Sequence, residues 1–174
     1  MFKKKAKTPE IITFQHHWDA YSILGIEDKK CDPLKDPQGG ACWDKFFRAQ
    51  ADEKFAPLLK DRPLLGVFCA SEPGHWSFLV GATVENIEKA PEGLCLRAFP
   101  ASEHLIVTHE WVSTTKESDT QIERVVSYAH GGDCKLPEGY ERYSDPILYT
   151  ECFNWHFDDK QFRFEVWLPI RPAI

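Results

Sequence analysis

The chain has 174 residues, a formal net charge of −6 at pH 7 and a hydrophobic content of 43%. This length is enough for one domain with its own core. The only basic cluster is Lys3, Lys4, Lys5 and Lys7, and the acidic remainder has no basic stripe, which argues against nucleic-acid binding by this chain alone. No apolar run approaches the roughly 20 residues of a membrane helix, and no secretory leader is recognisable. We therefore expect a cytoplasmic protein with no membrane partner. Residues 1–10 are expected to form a flexible basic N-terminus.

The six cysteines are scattered along the chain, and no two of them have the Cys-x-x-Cys spacing of a zinc site. In a chain with its own hydrophobic core, such cysteines are mostly small buried side chains. We therefore expect reduced thiols, no metal and no cofactor.

The first half of the chain alternates between strand and helix patterns. Residues 13–26 are rich in β-branched and aromatic side chains and predict one strand, straight or bent. Residues 42–59 place apolar side chains on one face of a helix, which Pro63 ends. The short apolar segments 64–70 and 76–84 predict two further strands.

The second half repeats this order. Residues 94–99 and 104–111 predict strand structure, and residues 118–130 have apolar side chains at the i, i+3, i+4, i+7 spacing of an amphipathic helix. Residues 148–157 and 161–170 are two strand patterns separated by a short turn, which predicts an antiparallel hairpin.

The two halves, about 11–88 and 89–174, therefore both have the order strand, helix, strand, strand. Their final strands also resemble each other, since residues 77–84 align with residues 163–170. In this alignment Leu79 lies opposite Glu165. An acid in only one copy of an apolar position indicates a local role rather than a requirement of the fold.

Strand alternation puts the side chains on either side of Glu165 on two faces. Phe162, Phe164, Val166 and Leu168 share the face that suits packing against helices. Arg163, Glu165 and Trp167 share the other. Acid beside aromatic side chains is typical of a ligand pocket, but a wet sheet face with Glu165 paired to Arg163 explains the same pattern. The residues alone leave both interpretations open.

Several segments in a fixed order resemble one known family. They are YSILGIED (21–28), the helix pattern from Trp43 to Phe55, RPLLGVFC (62–69), SFLVGATV (77–84), PEGLCLRAFPASEHLIVTHEW (91–111) and FEVWLPI (164–170). Together they resemble the gyrase-inhibitor-like small-molecule-binding domain, which is also the effector-binding domain of AraC-type and MerR-type regulators. The sequence departs from the family pattern in two places. The central strand ends in His109-Glu110-Trp111, where the family has His-basic-Gly. Before the last hairpin, LYTECF (148–153) is a loose substitute for the family's Phe-Glu-x-Tyr.

The resemblance implies an α+β fold of duplicated strand–helix–strand–strand units with pseudo-two-fold symmetry. It further implies an antiparallel sheet with helices on one face and a ligand cleft on the other. In such a cleft Glu165 would bind an aromatic or cationic organic compound while aromatic side chains stack on it. The candidate ligand-binding residues are Glu165, Trp167, Trp155, Phe153, Trp111, Trp43 and Tyr149.

The leading functional hypothesis is therefore a stand-alone small-molecule-binding protein. About ten residues precede the first strand, so no helix-turn-helix is expected ahead of the domain. A second hypothesis is a hydrolase of reactive electrophilic xenobiotics, in which Glu165 acts with Tyr149, Tyr140 or Tyr143. A third is a gyrase-type inhibitor that binds protein through its acidic surface. The sequence leaves the natural ligand and the oligomeric state open.

Overall fold

The chain folds into one large, mainly antiparallel sheet with few helices, which confirms the predicted α+β class. The computed structural model describes residues 8–32, 34–36, 39–50, 52–53, 55–59, 61–113, 117–156 and 158–174. Most of the expected basic N-terminus, residues 1–7, lies outside these ranges. The strands are β1 (Ile11–Trp18), β2 (Tyr21–Asp28), β3 (Leu64–Glu72), β4 (His75–Val84), β5 (Cys95–Phe99), β6 (Ser102–His109), β7 (Val112–Ser113), β8 (Tyr140–Arg142), β9 (Ile147–His156) and β10 (Gln161–Pro172). The helices are α1 (Gly40–Gln50), α2 (Ala56–Leu59) and α3 (Ser118–Ala129).

The prediction of one helix over residues 42–59 was wrong in its second part. The chain forms α1 and the separate short α2 instead. Pro57 explains the break, because its ring removes a backbone donor and disfavours helical geometry in the residue before it. Leu59 at the end of α2 is still fully buried, so the apolar pattern of this segment serves the core without a continuous helix.

The strand order is symmetric about its centre. It runs β1-β6-β10-β9-β3-β4-β2-β5, so β9 and β3 lie in the middle and equivalent strands follow outward on each side. The predicted strand over residues 13–26 is bent, and β1 pairs with β6 while its continuation β2 pairs with β4 and β5. This bent segment therefore joins the two sides of the sheet, and the sheet curls because only two residues separate β1 from β2.

The curled sheet separates two hydrophobic cores. The first core lies between the sheet and the helices and contains Phe162, Phe164, Val166 and Leu168 of β10, as alternation predicts. The second core lies on the opposite face, and all of its members among the described residues belong to strands, Trp167 included. No helix of the described residues is long and apolar enough to cross a membrane. The six cysteines are free thiols, four of them buried.

Two glycines set the closest approach of β2 and β4. Gly25 and Gly81 face each other in the register of these strands. A Cβ added at Gly81 would lie 2.2 Å from the Leu24 carbonyl oxygen, and one added at Gly25 would lie 2.0 Å from the Val80 carbonyl oxygen. The strands must separate to accept either methyl group.

We expect Gly81→Ala to lower the free energy of unfolding by about 2 kcal/mol, because overpacking against backbone forces the strands apart. Urea denaturation measures the loss. Gly132→Ala is the matched control, since a Cβ there meets nothing within 4 Å. Equal stability of the two variants would show that β2 and β4 adjust freely.

Candidate functional site

A cavity of about 960 Å³ lies on the helix side of the sheet, between α1 and α3. Strand β9 provides its floor. We call it the helix-side cleft, and it is lined by Gly40, Trp43, Phe47, Gln50, Leu59, Asp61, Arg62, Leu64, Asp119, Ile122, Glu123, Val126, His130, Tyr149, Glu151, Phe153 and Trp155. The position follows from the symmetric strand order, because the helices of the two halves flank the central strands β9 and β3.

Glu151 supplies the carboxylic acid of the helix-side cleft. The register places it between Gly66 of β3 and Val166 of β10, and its exposed fraction is 7%. It makes no hydrogen bond or ion pair with any residue that the structure describes. Burial raises its pKa to about 8, because the ionised form loses hydration. A buried carboxyl without a partner is costly in a fold and is common at binding sites.

Aromatic side chains line the same cavity as this carboxyl. The ring of Trp43 meets the ring of Phe153 edge to face at a centroid distance of 5.0 Å and stacks on Phe47 at 5.7 Å. Gly66 lets Trp43 approach the sheet, because a Cβ at residue 66 would lie 3.1 Å from the indole ring. Trp155 packs on Phe162 at 4.3 Å. The cleft therefore combines aromatic side chains with one buried acid at its floor.

The other charged and titratable groups of the cleft come from three places. Asp61 and Arg62 follow α2, Asp119 and Glu123 project from α3, and His130 follows α3. Arg62 donates a hydrogen bond to the Thr83 carbonyl oxygen at 2.7 Å. Burial lowers the pKa of His130. The walls therefore carry more acidic than basic side chains.

Glu165 lies on the opposite face of the sheet and has partners for both oxygens. Its Oε1 accepts a hydrogen bond from Nη2 of Arg163 at 2.6 Å, and its Oε2 accepts one from Nε1 of Trp167 at 2.7 Å. The exposed fraction of Glu165 is 6%. Its pairing with Arg163 matches the alternative to a pocket that the sequence left open, although Glu165 itself is buried and only Arg163 is partly exposed.

Glu165 also borders a second cavity, of about 840 Å³. This inner-face cavity is lined by Trp18, Ala20, Tyr21, Ser22, Pro63, Leu65, Thr83, Val84, Glu85, Asn86, Ala98, Phe99, Cys152, Asn154, Arg163, Glu165 and Trp167. The sheet therefore has a cavity on each face, and each of them contains one of the two buried acids.

The seven predicted site residues do not form one group. The helix-side cleft contains four of them, Trp43, Tyr149, Phe153 and Trp155, and the inner-face cavity contains Glu165 and Trp167. The seventh, Trp111, lines neither and packs against the guanidinium of Arg163 at 4.9 Å and the ring of His156 at 4.4 Å. Our sequence analysis placed Glu165 in one site with Phe153 and Trp155. The register of the β9–β10 hairpin puts Glu165 on the opposite face of the sheet from these two residues.

That register pairs Glu165 with Cys152, and Phe164 with Phe153. Directly paired residues of neighbouring strands point to the same face, so Phe153 belongs with Phe164 and not with Glu165. For the same reason Tyr149 cannot act beside Glu165. Tyr140 pairs with Pro172 at the far end of β10, and Tyr143 lies under Arg171, so neither borders the cavity of Glu165.

The acid of the helix-side cleft was not among the predicted site residues. The signal for Glu151 is the alternation along β9, where Tyr149, Glu151, Phe153 and Trp155 occupy every second position. This pattern of an acid among aromatic side chains is as clear as the pattern around Glu165. Only the register with β10 shows which of the two acids faces the helices.

No family model and no curated relative matches this sequence. Solved structures do match in three dimensions. SAV2435 bound to tetraphenylphosphonium has 11% identity and a TM-score of 0.62, over 92% of this chain and 94% of that chain. The integron cassette protein VCH_CASS2 of Vibrio cholerae has 11% identity and a TM-score of 0.55, over 91% and 95%. The C-terminal domain of EcmrR has 9% identity and a TM-score of 0.52, over 94% and 99%. At these identities the likeness shows that the chain shares their fold.

Proposed function

We propose that this chain is a small-molecule-binding domain that takes aromatic organic cations into the helix-side cleft. One observation carries the proposal. The carboxyl of Glu151 lies on the floor of an aromatic-walled cavity without a partner among the described residues. A ligand with a positive charge supplies the partner that the fold does not.

Both parts of such a ligand find complementary groups. A cation gains Coulomb energy beside an ionised Glu151, and this gain is larger in a partly desolvated cavity than in water. Rings of Trp43, Phe153 and Trp155 contribute cation–π contacts of about 0.5–2 kcal/mol each. A large cation with delocalised charge loses little hydration on entry. Binding of tetraphenylphosphonium by SAV2435, a protein of the same fold, supports this ligand class.

Titration with tetraphenylphosphonium at pH 7, followed by isothermal calorimetry, tests the proposal. We expect Glu151→Gln to weaken binding about tenfold, because the neutral amide keeps the shape of the side chain but loses the charge. Glu165→Gln is the matched control, since it removes the same charge from the other face of the sheet. We expect it to leave the affinity unchanged in the folded protein.

Three outcomes would contradict the proposal. The wild-type protein does not bind the cation, or Glu151→Gln binds it as tightly as wild type does, or Glu165→Gln alone loses binding. The last result would place the cation in the inner-face cavity. Circular dichroism confirms that each variant is folded before its affinity is compared.

A further inference from the structure

The acidic side chains of the helix-side cleft fall into two groups. Glu151 is buried at the floor, whereas Asp61, Asp119 and Glu123 are exposed on the walls. Burial is the only cause of the raised pKa of Glu151, so no wall acid lies close enough to repel its charge strongly. The cleft therefore has one anionic group at its floor and a separate anionic group nearer to solvent.

The wall acids have no counter-charge within the part of the chain that the structure describes. None of the three makes a hydrogen bond or an ion pair with a described residue. Asp119 and Glu123 are four residues apart on α3, so they lie on one face of the helix, where like charges repel each other. The only Lys or Arg among the described lining residues is Arg62, which donates a hydrogen bond to the Thr83 carbonyl oxygen. A cation from outside the chain would relieve this repulsion.

The cavity has room for an elongated ligand. Its volume of about 960 Å³ is near the upper end of the roughly 300–1,000 Å³ that is usual for small-molecule sites. Ile122 and Val126 line it from the same helix as Asp119 and Glu123. An apolar chain that runs along α3 therefore finds hydrophobic contacts beside the charges of the wall.

We propose that the helix-side cleft prefers elongated dications, which carry an aromatic cationic head and a second cationic group at the end of an apolar chain. The head lies beside Glu151, and the second charge lies beside Asp119 and Glu123. Attraction at the wall is screened by salt more than attraction at the floor, because the wall acids are exposed to solvent. This inference rests on the function proposed above and adds to it the number and spacing of the ligand's charges.

Two compounds that differ in one atom measure the contribution of the second charge. Both carry triphenylphosphonium at one end of a hexyl chain. The other end is trimethylammonium in the dication and tert-butyl in the control compound, so that carbon replaces the charged nitrogen. The control compound is the more apolar of the two, and a preference for the dication therefore cannot come from the hydrophobic effect. Pairs with butyl and octyl chains cover shorter and longer spacings.

Calorimetry at pH 9, where most of Glu151 is ionised, gives the ratio of the two affinities. We expect the wild-type protein to bind the dication of the best-fitting pair about tenfold more tightly at an ionic strength of about 10 mM. At about 500 mM the preference should fall to about twofold, because salt screens the exposed acids.

The double variant Asp119→Asn, Glu123→Gln tests the position of the second charge. We expect it to reduce the low-salt preference to about twofold and to leave the affinity for the control compound unchanged. The matched control is the double variant Asp133→Asn, Glu138→Gln, which removes the same charges from exposed residues that line neither cavity. It should keep the tenfold preference.

Glu151→Gln separates this inference from the proposed function, since it should weaken both compounds by the same factor and leave their ratio near ten. If the control compound binds, Glu151→Gln weakens it and the dication binds no more tightly, the inference is overturned while the proposed function stands. The inference is also overturned if the α3 double variant keeps the full preference, or if both double variants lose it equally. A preference that is lost only in Glu151→Gln would place the second charge at the floor and contradict the assignment. If neither compound binds, the proposed function and this inference both fail.

Discussion

Affinity for an aromatic cation is expected to rise about 100-fold between pH 6 and pH 9. The cation binds best when Glu151 is ionised, and burial raises the pKa of this carboxyl to about 8. In the free protein about 1% of the carboxyl is therefore ionised at pH 6 and about 90% at pH 9. Calorimetric titration of tetraphenylphosphonium at half-unit steps of pH measures the change. At pH 7 binding should also release almost one proton, which appears as a dependence of the binding heat on the buffer.

Other titratable groups face the helix-side cleft, and a variant separates their effects from that of Glu151. His130 lies at the end of α3, and burial lowers its pKa, which favours the neutral imidazole. Asp61, Asp119 and Glu123 contribute charge from the walls. In Glu151→Gln the affinity should be nearly flat between pH 6 and pH 9. A wild-type affinity that is equally flat would contradict the role of Glu151 as counter-ion.

The spacing of apolar side chains predicted much of the fold, because it indicates which face of a helix or strand is buried. The spacing of Ile122, Val125, Val126 and Ala129 predicted α3, which the structure confirms within one residue. Alternation along β10 likewise separated Phe164 from Glu165 correctly. In both elements the residues of one continuous segment are enough to predict the buried face.

The site was harder to predict because it depends on relations between segments. Alternation shows that Glu151 and Glu165 each share a face with aromatic residues, but it does not show which face of β9 aligns with the helix-packing face of β10. That depends on the pairing of β9 with β10, in which Cys152 lies opposite Glu165, and on the order of the strands across the sheet. Neither is encoded in one local pattern. The resemblance to a known family directed attention to Glu165, the acid whose charge the fold had already neutralised with Arg163.

Glu165 has hydrogen-bonding partners and Glu151 has none among the described residues. Replacing each acid by glutamine should therefore change the free energy of unfolding in opposite directions. Removing one member of a hydrogen-bonded charge pair leaves the other member uncompensated, and the cost is smaller where that member is partly exposed, as Arg163 is. Glu165→Gln should therefore destabilise the protein, because Arg163 loses its counter-charge. Glu151 has no such partner among the described residues, so replacing it removes a cost instead of an interaction.

Glu151→Gln is accordingly expected to stabilise the ligand-free protein, and to do so increasingly as pH rises. The folded-state pKa of about 8 is above the ordinary value of 4.5. Between these values the folded state keeps a proton that the unfolded state has released, so the wild-type free energy of unfolding falls as pH rises. Glutamine does not titrate. The difference between variant and wild type should therefore be close to zero at pH 4 and on the order of 4 kcal/mol at pH 8.

Urea denaturation of both proteins at pH 4, 6 and 8 measures this difference, and subtraction removes the contribution of every other titrating group. The direction in which this difference changes with pH distinguishes a desolvated, unpaired acid from an acid that stabilises the fold. If the acid had a lowered pKa, its glutamine variant would lose stability relative to wild type between pH 4 and pH 8. We expect Glu151→Gln to gain stability relative to wild type over the same range. If the difference does not change with pH, Glu151 titrates alike in the folded and unfolded chain. The helix-side cleft then does not hold an unpaired, desolvated carboxyl, and attraction of a cation to it loses its physical basis.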